Sequence, residues 1–206
     1  MLRLPSMRLL LVILAVVLAA TGAAAEPFSL AKLQAVSVGI ATVRVAFTQE
    51  KHLAILDEPL VAAGLVEISR PLQAVRWEFT GRSLVVWNRG RLRRWGADGK
   101  EESAGGKDPG VSALGDQMQG LLTGDFSALG RVFSVTPVAD GSARLTLVPL
   151  KAELTRFLTG IDLQFREDLS APSAMVITAA GGDTTAYTFA TPELGLAIPP
   201  ERFTGP

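Results

Sequence analysis

Residues 43–51 read Val-Arg-Val-Ala-Phe-Thr-Gln-Glu-Lys, and this stretch decides the fold class. Val43, Val45 and Phe47 alternate with polar or small residues, which is the period of a strand that buries one face. Further runs along the chain are also rich in β-forming residues or alternate in the same way. They are residues 60–69, 74–79, 83–87, 91–95, 133–138, 142–148, 161–165, 174–179 and 184–190. Such a series of short strands predicts one large antiparallel sheet.

Glycine-containing segments separate several of these runs. Residues 88–90 (Asn-Arg-Gly), 140–141 (Asp-Gly) and 181–183 (Gly-Gly-Asp) each predict a tight hairpin turn, because Asn and Gly tolerate positive φ. Residues 97–110 are polar and rich in glycine, so we expect an exposed, mobile loop there. The tail after residue 190 is rich in proline and predicts an irregular or edge segment.

Helical spacing occurs in two longer segments and one short one. Residues 28–39 predict a helix with Ser29 as its N-cap, and residues 111–123 predict a second helix. A short helical excursion is expected at 151–157. A sheet of roughly nine to eleven strands curls, and the helices must bury their apolar stripes against it. The fold class is therefore mainly β with α, with the sheet forming an incomplete (half-open) β-barrel under a helical lid.

The first 25 residues have the pattern of a targeting signal. Arg3 and Arg8 precede an almost unbroken apolar run at residues 9–20, and three alanines follow at 23–25. The alternative is a membrane anchor, but the apolar run is short for a span, which needs about 20 apolar residues. We therefore expect residues 1–25 to be a signal peptide cleaved after Ala25, and residues 26–206 to form one periplasmic domain.

Composition limits the possible functions of this domain. Removal of 25 residues from 206 leaves 181, with 18 basic residues against 20 acidic ones and a net charge near −2. That balance lacks the basic footprint that nucleic-acid binding requires. The chain has no Cys, which excludes a disulfide framework, a Cys nucleophile and the Cys-linked lipid of a bacterial lipoprotein.

Residues that could carry catalysis or bind a metal are few. The sole His is His52, no G-x-S-x-G motif is present, and residues 105–106 lack the context of a phosphate-binding loop. The adjacent acidic pairs at 57–58 and 101–102 are interpreted as solvated loop charge, since strand neighbours point to opposite faces. We therefore expect that the protein is not an enzyme and binds neither a metal nor a cofactor. The alternative is a hydrolase whose active site is built around His52.

Five arginines gather around one predicted hairpin. They are Arg82, Arg89, Arg91, Arg93 and Arg94. A solvated hairpin face is the simpler interpretation. The alternative is a contact for an acidic partner or for a phosphate headgroup.

Three stretches together resemble the outer-membrane lipoprotein carrier (LolA-like) family. The first is Phe-Thr-Gln-Glu-Lys at 47–51, similar to the family's F-x-Q-x-K. The second runs from Gly64 through Arg70-Pro71 to Arg76-Trp77. The third combines 145–149 (Leu-Thr-Leu-Val-Pro), 157–158 and 161–163, and Phe203 resembles the closing aromatic residue. The resemblance covers most of the chain after residue 25, in the same order.

The resemblance implies a function. Members of this family have an open β-barrel with helices over its mouth, and they take lipoproteins from an inner-membrane ABC exporter to an outer-membrane acceptor lipoprotein. The expected cargo is an acylated lipoprotein or another lipid, carried by a monomer in the periplasm. Arg70 matches the family arginine that bonds lid elements and holds the cavity shut. On the residues alone, an exposed Arg before a Pro is the alternative.

Apolar residues on the predicted strands and second helix supply a cavity. The expected walls are Val45, Phe47, Trp77, Phe79, Val85 and Trp87. The expected lid residues are Leu114, Met118, Leu121 and Leu122. Ordinary core is the alternative for all of them. Residues 51–60 resemble a divergent subgroup, so the alternatives for function are a carrier of another exported lipid, such as a glycolipid or polyene product, and a periplasmic lipid sensor.

Overall fold

The computed structural model describes residues 28–102 and 126–206. The helices are α1 (Leu30–Val38), α2 (Phe126–Leu129), α3 (Ala152–Thr155) and a 3-10 helix at Pro200–Phe203. The strands are β1 (Thr42–His52), β2 (Leu60–Ser69), β3 (Ala74–Phe79), β4 (Ser83–Asn88), β5 (Arg91–Trp95), β6 (Glu101–Glu102), β7 (Phe133–Pro137), β8 (Arg144–Pro149), β9 (Leu158–Phe165), β10 (Pro172–Ala179), β11 (Thr184–Phe189) and β12 (Glu193–Leu194). The predicted signal segment and the predicted helix at 111–123 lie outside the described residues.

All twelve strands belong to one antiparallel sheet. Their order is β6-β5-β4-β3-β2-β1-β11-β10-β9-β8-β7, and β12 pairs with β1. Strand β1 joins the two halves of the chain, because β2 and β11 pair with it on either side. Within the described residues β6 and β7 form unpaired edges, so the sheet does not close. The predicted mainly-β fold with one large, half-open antiparallel sheet is confirmed.

Hairpin turns occur where the glycines predict them, with one difference. Gly141 and Gly182 adopt positive φ values of 80° and 89°. Between β4 and β5 the two residues with positive φ are Arg89 and Gly90, at 48° and 81°. Asn88 stays in β4 and donates its amide to the carbonyl of Phe203 at 3.1 Å. The prediction that Asn88 takes part in the turn through positive φ was therefore wrong.

One face of the sheet, here called the inner face, packs against α1. Strand register aligns its side chains in rows across β4, β3, β2 and β1. The rows are Trp87–Val75–Ile68–Val43, Val85–Trp77–Val66–Val45 and, continuing onto β11, Phe79–Gly64–Phe47–Phe189. Helix α1 begins at Ser29, whose Oγ accepts a bond from the Lys32 N–H at 3.2 Å, and buries Leu33 completely. The main hydrophobic core lies on this face.

The opposite, outer face of β3, β4 and β5 is covered by the C-terminal segment. Ala74, Leu84, Val86 and Trp95 form a second core with Ile198 and Phe203. The prediction of an irregular or edge tail was therefore incomplete. Its residues form β12 and the 3-10 helix, and Phe203 is almost completely buried.

A buried carboxylate fastens this segment to the sheet. Glu67 is 0% exposed, and its two oxygens each accept two bonds. Arg44 donates to Oε1 at 2.9 and 2.8 Å, and Arg202 donates to Oε2 at 2.9 and 2.7 Å. Arg76 donates to the carbonyls of Arg202 and Gly205 at 3.1 and 2.6 Å. The charge of Glu67 is thus compensated from both the sheet and the tail.

The segment at 97–110, expected to be an exposed loop, contains a strand at Glu101–Glu102, and its part from residue 103 onward lies outside the described residues. Glu101 and Glu102 are exposed, as expected, but they form β6 and pair with β5, so their assignment to a loop was wrong. Arg93 donates to both oxygens of Glu101 at 2.8 and 2.7 Å. Arg94 Nε lies 3.0 Å from Glu102 Oε2, an ion pair without hydrogen-bond geometry. Arg93 and Arg94, two of the five clustered arginines, therefore form ion pairs with β6.

Replacing Glu67 with Gln tests the outer-face anchor. The substitution removes the buried carboxylate from two arginines that are about two-thirds buried, and leaves each with only a more distant and partly exposed carboxylate. We expect the free energy of unfolding to fall by about 2–3 kcal/mol, since breaking a buried pair is strongly destabilising and these arginines keep part of their hydration. Urea denaturation measures it. Glu193→Gln is the control, because that carboxylate also faces Arg44, at 3.9 Å, but is 62% exposed. If both variants lost the same free energy of unfolding, the role of Glu67 as the anchor of the C-terminal segment would be contradicted.

Candidate lipid-binding cavity

A cavity of about 50 Å³ lies between the inner face and the elements that cover it. Its floor is Val43 and Val45 from β1 with Val66 and Ile68 from β2. The remaining lining residues are Ser37, Arg70, Phe126, Phe165, Leu169, Ser170, Ala171, Pro172 and Phe189. Apolar side chains dominate this lining, and among the described residues Arg70 contributes its one charged group.

The far wall of the cavity comes from α2 and from the turn between β9 and β10. Phe126 packs edge-on against Phe165, with ring centroids 6.2 Å apart. The turn is fixed by its own bonds, because Ser170 donates its N–H and its hydroxyl to Asp168 at 3.0 and 2.7 Å. Both bonds hold the pKa of Asp168 below its usual value, and the bond from the Ser170 backbone N–H has the larger effect. Leu169 adopts a φ of 58° within this turn.

Arg70 lies at the cavity rim. Its Nη1 donates to the carbonyl of Ile40, which follows α1, and its own N–H donates to the carbonyl of Ala41 at 3.0 Å. The side chain therefore connects the end of β2 to the C-terminal end of α1. Burial lowers the pKa of the Arg70 guanidinium, because the charged group has lost part of its water.

An aromatic cluster occupies the inner face beside the cavity. Phe47 is its centre, with ring centroids 5.5 Å from Trp77, 5.3 Å from Phe79, 5.7 Å from Tyr187 and 6.4 Å from Phe189. Gln49 donates to the Tyr187 hydroxyl at 2.6 Å, and burial raises the pKa of that phenol. Aromatic pairs at these distances stabilise beyond the area they bury. The cluster thus forms a rigid apolar wall.

The predicted wall residues all lie on the inner face, but only Val45 lines the cavity itself. Phe47, Trp77 and Phe79 belong to the aromatic cluster. Trp87 is buried in the main core, and Val85 is half-buried beside Trp77. The predicted lid residues Leu114, Met118, Leu121 and Leu122 lie outside the described residues.

Several lining residues were not predicted. Phe126 and Leu129 have helical spacing, which offers a weak local signal for α2. Phe165, Leu169 and Phe189 reach the site only through tertiary packing, and nothing in their local sequence marks them.

The alternative of a hydrolase built around His52 gains little support from the residues that the structure describes. His52 Nε2 lies 3.8 Å from a Glu50 carboxylate oxygen, and both side chains are about half exposed. No group of three or more His, Cys, Asp or Glu side chains within residues 28–102 and 126–206 could hold a metal. In the same ranges, no helix has the length and apolar character needed to cross a membrane.

Gly64 provides a test of the aromatic cluster. It lies between Phe47 and Phe79 in the inner-face row, and a Cβ there would meet the backbone carbonyl of Glu78 and lie 2.5 Å from the Phe47 ring. We expect Gly64→Ala to lower the free energy of unfolding by about 1–3 kcal/mol through overpacking. Thermal or urea denaturation checks this. Gly160→Ala in β9 is the matched control, because its Cβ would meet only an ordinary contact at 3.5 Å. If Gly64→Ala left the free energy of unfolding unchanged, the Phe47 ring and the Glu78 backbone would be able to move away from the added Cβ.

Several solved structures are similar to this chain. A domain described as an outer-membrane lipoprotein-sorting protein from Vibrio parahaemolyticus is similar, with a TM-score of 0.50 and 11% identity, covering 84% of this chain and 95% of that one. A DUF1329 family protein from Desulfovibrio piger gives a TM-score of 0.47 and 9% identity, covering 85% and 97%. A LolA superfamily protein from Nitrosomonas europaea gives 0.43 and 10%, covering 84% and 94%. No curated protein matches the chain significantly in sequence.

The sequence profile of one family matches most of the chain. The match covers residues 39–205, which includes every strand described above. The chain belongs to the family of the outer membrane lipoprotein carrier protein LolA.

Proposed function

We propose that this protein is a periplasmic carrier that shields the acyl chains of lipoproteins on its inner face and moves them from the inner to the outer membrane. In this proposal residues 1–25 direct export and are then removed. An inner-membrane ABC exporter supplies the cargo, and an outer-membrane acceptor lipoprotein receives it. The observation that carries the proposal is an apolar cavity between the inner face and its covering elements, in a chain of the lipoprotein carrier family. Proteins of this family are in general not enzymes.

The physical need for such a carrier follows from lipid anchoring. Each buried methylene contributes about 0.8 kcal/mol to membrane attachment, and two acyl chains anchor a protein stably. A lipoprotein can cross water only if a host offers comparable apolar contact. The inner-face rows supply valine, isoleucine, phenylalanine and tryptophan side chains over four adjacent strands.

The size of the cavity indicates a closed state. Pockets for drug-sized ligands have volumes of about 300–1,000 Å³, whereas this cavity has about 50 Å³. In this proposal the covering elements move away from the sheet before an acyl chain enters this cavity. Cargo binding then competes with closure, which gives the carrier a means of release.

Arg70 is proposed as the latch of this closed state. Its bond to the Ile40 carbonyl holds the end of α1 against the end of β2 at the rim of the cavity. A guanidinium suits this role, because its five N–H donors can hold backbone carbonyls and exchange them for other acceptors.

Substitution of Arg70 tests the latch. Hydrogen bonds to charged groups contribute about 1.5–3 kcal/mol. We therefore expect Arg70→Leu to bind a di-acylated lipopeptide roughly tenfold or more tightly than the wild type and to deliver it more slowly to acceptor membranes. Arg82→Leu is the control, since Arg82 also bonds a carbonyl, that of Val61 at 3.4 Å, but on an exposed surface. If both variants bind and transfer like the wild type, Arg70 is not the latch.

The carrier function itself is tested by native mass spectrometry of protein purified from periplasm without detergent, followed by lipid extraction. A bound acylated protein or its lipidated N-terminal peptide is the expected result. A bound free lipid, glycolipid or aryl lipid would instead favour a carrier of that cargo. An empty protein that also takes up no acylated peptide in solution would contradict both and favour a periplasmic sensor.

A further inference from the structure

Two buried indole groups on the inner face lack acceptors. Nε1 of Trp77 and Nε1 of Trp87 are shielded from solvent, and neither finds a hydrogen-bond partner in the part of the chain that the structure describes. An indole N–H can only donate, and buried donors in proteins are almost always paired. A buried donor without a partner is costly, and therefore calls for an explanation.

The two tryptophans that carry these donors are neighbours on the sheet. Trp87 is opposite Val75 and Trp77 is opposite Val85 on strands β4 and β3, so the tryptophans are diagonal neighbours. Diagonal neighbours are about 7–8 Å apart, within reach of large side chains. Both rings point to the face that packs against α1 and carries the cavity.

The surroundings of Trp77 are largely aromatic. Trp77 packs edge-on against Phe47 and Tyr187, at 5.5 and 5.4 Å between ring centroids. The one hydroxyl of this cluster, on Tyr187, is already engaged by Gln49 at 2.6 Å. An apolar wall could be built from phenylalanine rings, which carry no donor, so the apolar character of the site does not by itself require an indole N–H.

We propose that the indole N–H groups of Trp77 and Trp87 donate hydrogen bonds to the acyl carbonyl oxygens of bound lipid. The inference rests on the proposed function, since it requires acyl chains on the inner face. Hydrocarbon tails offer no acceptor, whereas the ester or amide carbonyl at the head of each chain does. Two adjacent donors match two chains joined to one backbone unit, such as a diacylated glyceryl group. The ligand class is therefore the acyl ester or amide, rather than ether-linked or isoprenoid hydrocarbon.

A pair of probes that differ only in the carbonyls tests this. The probes are 1,2-dioctanoylglycerol and its ether analogue 1,2-di-O-octylglycerol, titrated against the full mature protein by calorimetry. We expect the wild type to bind the ester at least tenfold more tightly, because a site built for a hydrogen bond discriminates against the analogue that lacks its partner. In the double variant Trp77→Phe/Trp87→Phe the ratio of ester to ether affinity should fall to about one.

Trp95→Phe is the matched control. Trp95 lies in the outer-face core with its ring 4.6 Å from the Arg93 guanidinium, away from the proposed ligand. The variant loses an indole by the same chemical change. It should keep the wild-type preference for the ester.

Nuclear magnetic resonance provides a readout that does not depend on the variants folding. The chain has three tryptophans, and hence three indole N–H signals. The signals of Trp77 and Trp87 should move downfield with the ester probe and not with the ether. The signal of Trp95 should stay in place with both.

The outcomes separate this inference from the carrier proposal. Equal binding of ester and ether by the wild type, with no selective downfield shift, overturns the carbonyl contact and leaves the carrier intact. Failure to bind either probe contradicts the lipid-binding proposal and this inference together. Loss of the ester preference in Trp95→Phe as well as in the double variant would also overturn the assignment to the inner-face indoles.

Discussion

The pairing of β1 with β2 is the constraint on which the rest of the structure depends. The two strands are in register over ten residue pairs, from Thr42 opposite Ser69 to Lys51 opposite Leu60. Because side chains alternate between faces, a slip by one residue would turn one strand over relative to the other, and either Phe47 would face outward or Glu67 would face the inner side. In the observed register Phe47 lies opposite Gly64, whose missing Cβ leaves room for the ring. The same register sets Arg44 opposite Glu67 on the other face, so one strand pair organises both cores.

The two faces of the sheet are covered by different kinds of interaction. On the outer face the tail is held by charge-assisted bonds to Glu67, which are short and directional. On the inner face the covering elements make mostly apolar contacts, with the Arg70 bond at the rim. Apolar contact is non-directional and can be exchanged for contact with another apolar surface. A fixed outer face and an exchangeable inner face suit a protein whose inner face must open without unfolding.

Local pattern was sufficient to predict most of the sheet. The bounds of β2, β3 and β5 follow directly from runs of strand-forming residues between turn signals. The two-residue strands β6 and β12 were missed, because a strand that short has no period to detect. Glu67 illustrates a second limit. A charged residue in a strand predicts exposure, and its burial depends on Arg202, which is 135 residues away in the chain.

The candidate site was less predictable than the fold. Val45 follows from alternation, whereas Phe126, Phe165 and Leu169 reach the cavity because distant segments pack over the sheet. Alternation also cannot distinguish a tryptophan whose N–H is bonded from one whose N–H is not. That distinction depends on which acceptors the neighbouring strands bring near, and in the described residues Trp77 and Trp87 have none.

The few polar groups on the apolar inner face affect how the proposed carrier takes up and releases its cargo. Hydrocarbon contact cannot by itself favour the carrier over a membrane, because a bilayer offers the same methylene contacts. In the proposed cycle a few polar bonds therefore decide the equilibrium between cargo on the carrier and cargo in the membrane. The Arg70 bond to the Ile40 carbonyl stabilises the closed, empty state, and the buried indole donors stabilise the loaded state by gaining acceptors. Because each such bond changes an equilibrium by about a factor of ten, opposing contributions of this size keep binding reversible in both directions.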